Sequence, residues 1–232
     1  MTEHSTQLPH HSDFTRRSLL GVIAVASAAT LVAPPGAAEP QRAKHWSDTL
    51  SAIEPRLKEV RDRIDEYLYT IAAAASQLPN VPRGELQRVD WTDPAVSFGM
   101  AFKGTSFVVV EWELAPNAIL PPHNHPNGSV CTVGVEGEAF LENFEVSGAA
   151  SAVGSETPFT VRRTKREVIA RGRVNTLSPT RDNIHTLRAG SRGARGIDIT
   201  SMHGPSEKFG FLKLKERAGG ELFEARWFMP GK

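Results

Sequence analysis

The sequence predicts a mainly β barrel preceded by a helical segment, and three observations carry that expectation. From Val96 onward, apolar and polar residues alternate in short runs, the period of strands buried on one face. Turn signals separate the runs: Lys103-Gly104, Ala115-Pro116-Asn117, Pro126-Asn127-Gly128, Glu136-Gly137 and Ser191-Arg192-Gly193. Upstream, Leu50, Ile53, Leu57, Val60, Ile64, Leu68 and Ile71 recur every three or four residues, one apolar stripe of an amphipathic helix.

In chain order, Arg16-Arg17 precede an apolar, Ala-rich run from Leu19 to Ala33 and small residues around Ala37-Ala38. That is the three-part layout of a secretory signal. The paired arginines resemble a twin-arginine signal, which implies the Tat export machinery as a partner and a periplasmic or secreted protein. The apolar run is short for a membrane span, so no stable anchor is expected after cleavage behind Ala38. Residues 39–45 read as a polar linker. Helix is expected from Trp46 to Gln77, with Ser47 and Asp48 as N-capping oxygens, Pro55 dividing it and Pro79 stopping it. Strands are expected at Val96–Phe102, Thr105–Leu114, Val130–Val135, Ala139–Val146, Phe159–Arg163, Val168–Ala170, Val174–Leu177, His185–Ala189 and Ile197–Ser201, with two more near Phe211–Leu214 and Leu222–Phe228. This divides the chain into a signal (1–38), a linker and helix (39–94) and a β-domain (95–232).

Composition excludes some functions. The 232 residues carry 27 basic and 26 acidic side chains, without the basic excess a nucleic-acid partner demands. The single cysteine, Cys131, rules out an intramolecular disulfide and a cysteine-type zinc site.

Four histidines fall in the β-domain: His123, His125, His185 and His203. In an extended strand, positions i and i+2 share a face, so His123 and His125 can present two neutral imidazoles to one metal ion. A bare His-x-His in a Pro-rich loop is also compatible with two surface histidines. His203, beside a Gly-Pro turn, is compatible with a base behind the ligands or a rim residue, and reads first as a surface residue.

The stretch Pro122-His123-Asn124-His125-Pro126-Asn127-Gly128, ending in Gly134-Val135-Glu136-Gly137, resembles the first cupin motif. The fold it implies is a double-stranded β-helix, or jelly-roll, barrel. Where the motif carries its acidic ligand this chain has Ser129 and Val130, which leaves a site of three histidines without a carboxylate. Asn183-Ile184-His185, about sixty residues on, resembles the third-ligand segment of the thiol dioxygenases: the cysteine and mercaptopropionate dioxygenases, and the plant cysteine oxidases with their cysteamine dioxygenase relatives. The resemblance spans roughly residues 95–205. It implies iron(II) on His123, His125 and His185, a small thiol and O2 as substrates, and a sulfinic acid product. Val108, Val110, Trp112, Val133 and Val135 are expected to line the site. Asp198 resembles an aspartate that the plant branch carries on the strand after the third histidine, and is a candidate catalytic or orienting group. Cys131 lies near the position where some animal-type enzymes carry a thioether to a tyrosine. The matching tyrosine is absent, since Tyr67 and Tyr69 fall in the helix, so a free, buried thiol is expected. No arginine occupies Phe98–Lys103, where the amino-acid-specific enzymes clamp a carboxylate; Lys103, Arg162, Arg163, Arg173 and Arg188 are the substitutes. Two other classes remain open from the sequence: a different metal-dependent cupin enzyme, and a non-enzymatic metal or ligand binder.

Overall fold

The computed structural model describes residues 41–78, 81–205, 208–216 and 220–228. The expected export signal and Pro79 lie outside them. Two helices, α1 (Gln41–Glu59) and α2 (Ile64–Ala75), precede ten strands: β1 (Gln87–Arg88), β2 (Val96–Lys103), β3 (Val108–Leu114), β4 (Ile119–Asn124), β5 (Gly128–Val146), β6 (Phe159–Ile169), β7 (Val174–Leu177), β8 (Ile184–Met202), β9 (Phe211–Glu216) and β10 (Leu222–Phe228). Among the described residues, no helix is long and apolar enough to cross a membrane.

The sheet closes on itself. β4 pairs with β8, β8 with β5, β5 with β6, β6 with β10, β10 with β9, and β9 returns to β4, every pair antiparallel. Strands β3, β2 and β1 extend outward from β8, and β7 from β5. Closure removes the edges that the six strands of the circuit would otherwise present, and β1 and β7 end the sheet. This is the double-stranded β-helix expected from the sequence.

Several expected strands are continuous. Val130–Val135 and Ala139–Val146 are halves of β5; His185–Ala189 and Ile197–Ser201 are halves of β8. Both bend at one corner, where Gly137 opposes Ala194 and Ala139 opposes Ala189. Gly137 (φ +66°) and Gly193 (φ +78°) take left-handed conformations there, which other residues adopt at a cost. β4 escapes the alternation pattern because Pro121-Pro122 sit inside it. The ladder tolerates them through a register shift between Leu120 and His123.

Each strand's alternation feeds two apolar layers. Trp112, Leu114, Leu120, Leu141, Leu187 and Phe211 pack together within the barrel. On the opposite face of β3, β5 and β8, Val109, Cys131, Val133, Ile197 and Ile199 meet Trp46, Leu50, Leu57, Tyr67 and Ile71 of the helices. Each side chain so buried contributes about 1.5–3 kcal/mol, enough together to dock the helical segment firmly. The helical break differs from expectation. α1 runs through Pro55 and begins before Ser47, so neither Ser47 nor Asp48 is its N-cap; the chain turns instead at 60–63, where Arg63 N–H donates to the Val60 carbonyl. A buried ion pair anchors the connection to the barrel. Arg195 donates to Glu111 at 2.5 Å and to the Val81 and Pro82 carbonyls at 3.0 and 2.7 Å.

Candidate metal centre

Two segments bring three imidazoles together. β4 delivers His123, and the turn after it delivers His125; the second residue of β8 is His185, which lies directly across the ladder from His123. Each segment is set by a left-handed polar residue, Asn127 (φ 53°) and Asp182 (φ 56°), the residue types that tolerate that region. Asn183 ties the segments to each other. Its carbonyl accepts from His125 N–H at 3.0 Å, and its side-chain amide donates to the His125 carbonyl at 3.4 Å.

His185 Nε2 lies 2.9 Å from His123 Nε2 and 3.1 Å from His125 Nε2, and one ligand nitrogen from each ring falls within 4.8 Å of the other two. Neither Asp198 nor Cys131 joins that cluster. The trio sits beside two aromatic rings, Phe209 at 5.5 Å and Phe211 at 5.7 Å from the His123 ring.

The electrostatics suit a cation. Burial pushes the His123 pKa down to about 4, partly opposed by its bond to Pro121. Burial, then the neighbouring histidines, hold His125 and His185 well below the ordinary value. All three are therefore neutral donors near pH 7. His123 Nδ1–H donates to the Pro121 carbonyl at 2.9 Å, which fixes the tautomer and turns the Nε2 lone pair inward. Neutral imidazoles with lone pairs at such separations repel one another unless a cation lies between them. Nitrogens bound to one ion at about 2.0–2.1 Å lie about 2.9 Å apart at a right angle, and about 3.3 Å apart at the tetrahedral angle. The 2.9 Å separation matches the right angle, and the 3.1 Å separation lies between the two. The donors present thus fit a divalent transition metal, which His123, His125 and His185 would hold.

Other expected site residues are placed elsewhere. Cys131 is a fully buried free cysteine in the layer under the helices; burial, then the nearby Asp198 charge, raise its pKa steeply, so the thiolate is disfavoured. Carried over as a candidate site residue, it faces away from the interior layer. Val133 is in that same layer and Val135 packs on it, so these two do not line the site, because β5 alternates. Trp112 does face inward, and its indole Nε1–H donates to Asp198 Oδ1 at 3.3 Å. Asp198 is 7 % exposed, and burial raises its pKa to about 6, against the lowering influence of Thr132 and Trp112. The Thr132 hydroxyl, opposite Asp198 in register, makes no hydrogen bond of good geometry, so it acts on the carboxylate only as a nearby dipole. His203 packs edge-on against Tyr67 at 5.1 Å. Among the arginine candidates, Arg163 is engaged by Glu142 and Glu221, and Arg188 lies over the Phe140 ring.

Sequence reasoning missed three contributors. Asn124, between the two histidines, accepts from Gly210 N–H at 2.7 Å and donates to the Lys208 carbonyl at 3.4 Å. It thereby fixes the segment that carries Phe209 and Phe211. The Phe-x-Phe spacing was the only available signal, and it signals a strand face rather than a site.

No protein-family model matches the chain, and no curated protein matches it. Solved structures do. KdgF from Halomonas sp. is 15% identical over 51% of this chain and 86% of its own, with a TM-score of 0.37. The Schizosaccharomyces pombe Cnp3 cupin domain is 15% identical over 52% and 70%, with a TM-score of 0.36. Oxalate oxidase in complex with the substrate analogue glycolate is 15% identical over 59% of this chain and 57% of its own, with a TM-score of 0.37. At these scores the likenesses carry no weight for activity, and the fold assignment rests on the closed strand circuit.

Proposed function

We propose that this barrel is a non-haem iron(II) thiol dioxygenase that converts a small thiol to a sulfinic acid. The observation that carries the reading is the donor set: three neutral imidazoles, His123 and His185 buried and His125 half-buried, with His185 Nε2 2.9 and 3.1 Å from the other two and no carboxylate within the cluster among the described residues. Such a set would leave a divalent ion its full charge and open positions where a thiolate and O2 could both bind. Iron(II) held there supplies the redox chemistry that moves both oxygen atoms of O2 onto sulfur, so that R–SH and O2 balance to R–SO2H. The chain's own groups do the rest. His123, His125 and His185 orient the centre, and Phe209 and Phe211 keep water from it. Asp198, an inward carboxylate that makes no ion pair among the described residues, is assigned to holding a substrate amine or orienting a ligand.

The test is anaerobic iron loading followed by an oxygen-electrode screen across thiols and non-thiol small molecules, with products identified by mass. O2 uptake with thiols and a gain of two oxygens supports the reading. Uptake only with non-thiols favours another cupin enzyme, and iron-loaded protein that consumes no O2 favours a binder; either result sinks it. Export through the twin-arginine route is part of the same proposal, since that route carries proteins that have already folded, often around a cofactor. Arg16→Lys with Arg17→Lys should retain the protein in the cytoplasm, and normal export of the double variant would remove this part.

A further inference from the structure

His123 has a carbonyl to fix its tautomer, but His185 does not: its Nδ1 is fully buried and without a hydrogen-bond partner. A metal-ligating histidine ordinarily donates its second nitrogen to something. The residue directly across the β5–β8 ladder from His185 is Asn143, on the same face and at a cross-strand distance within reach. Its Oδ1 is also buried and unpartnered.

The polarity of Asn143 is fixed from the other side. Glu167 is a carboxylate at the end of a side-chain relay, and it accepts from Asn175 Nδ2. Asn175 must therefore present Oδ1, which accepts from Asn143 Nδ2 at 3.2 Å. That leaves Asn143 Oδ1 as an acceptor that needs a donor. Asn143 and Asn175 are 0 % and 1 % exposed, so bulk water does not supply one. A buried acceptor left alone is costly.

We infer that Asn143 is the positioning residue for His185. The chain Glu167–Asn175–Asn143 accepts the His185 Nδ1–H, directly or through one buried water, and so keeps the Nε2 lone pair on the metal. The inference rests on the trio being a metal site, and not on the thiol chemistry.

The experiment uses the metal-free full chain and Co(II) as probe. In the wild-type protein, long-range proton–nitrogen NMR should show His185 as the Nδ1–H tautomer; the Nε2–H tautomer would overturn the inference without any variant. Co(II) affinity is then measured by chelator competition. Asn143→Leu, which removes the acceptor, should weaken Co(II) by about 10–100-fold. Asn143→Asp keeps an acceptor toward His185 while losing the donor to Asn175, and should bind Co(II) at least as tightly as wild type. Equal affinity in Asn143→Leu and wild type, or equal losses in Leu and Asp, would mean that Asn143 serves packing alone and would refute the inference. Failure of the wild-type protein to bind Co(II) at all would instead strike the metal reading.

Discussion

Asp198→Asn in the metal-free protein should be more stable than wild type at pH 7.5 and no more stable at pH 4. Burial holds the Asp198 pKa at about 6, against an ordinary 3.8. Below 3.8 the carboxyl is protonated whether the chain is folded or not, and it costs nothing. Above about 6 it is ionised in both states, and the folded protein bears a buried charge that the unfolded chain hydrates. Its penalty therefore grows as pH rises from about 4 to 6 and stays constant beyond. A gap of roughly two pH units, at about 1.4 kcal/mol each, amounts to about 3 kcal/mol. The substitution keeps an oxygen to accept from Trp112 Nε1–H and removes the charge. For a chain of this size, about 3 kcal/mol corresponds to roughly 6–12 °C in melting temperature. Paired thermal melts at pH 4, 5, 6, 7 and 7.5 read the difference between the two proteins, so acid effects elsewhere cancel. A variant no more stable at pH 7.5, or a gain that is the same at pH 4, would refute the reasoning. A charge kept at this cost is expected to serve function, so the stabilised variant should also lose turnover.

Three further outcomes follow from the site. His185→Ala should abolish metal retention, measured by elemental analysis, while far-UV circular dichroism stays that of the wild type; retained metal would contradict a shared site. The metal-free fold should weaken as pH falls from 6.5 toward 4, since the unfolded chain takes up protons that the buried, low-pKa histidines refuse. With three such groups, that loss should outweigh the opposite gain from Asp198, and a stability profile flat across this window would contradict it. Intact mass after turnover should show no loss of two hydrogens, since Cys131 lies in the layer under the helices, outside the histidine cluster, and the Tyr67 hydroxyl in that layer contacts Ser201; a peptide pair joining Cys131 to Tyr67 would show the free-thiol reading to be wrong.

The alternating runs gave the β-barrel class because a half-buried strand must alternate, and nearly every expected strand lies within an observed one. Corners were illegible for the same reason. β5 and β8 each continue through Glu136-Gly137 and Ser191-Arg192-Gly193, stretches that read locally as turns, because paired glycines let two strands bend together without parting. Pro55 misled in the other direction. A proline signals a missing donor, yet whether the helix breaks there depends on packing around it, and Leu50, Leu57 and Val60 on either side bury together against the barrel.

The metal ligands were legible because their chemistry is written in residue identity: an imidazole is conspicuous, and two at i and i+2 share a face by geometry alone. What supports them was not, because support is long-range and uses ordinary residues. Asn143 differs from any strand asparagine only by standing opposite His185, a relation that closing the β5–β8 ladder creates. Cys131 and Asp198 show the same limit from the other side. Both sit on inner strands of the same barrel, on ladder pairs one register apart. A single step in the pleat sends the carboxylate toward Trp112 and the thiol under Leu57 and Tyr67. Resemblance placed both near the centre, and side-chain parity separates them.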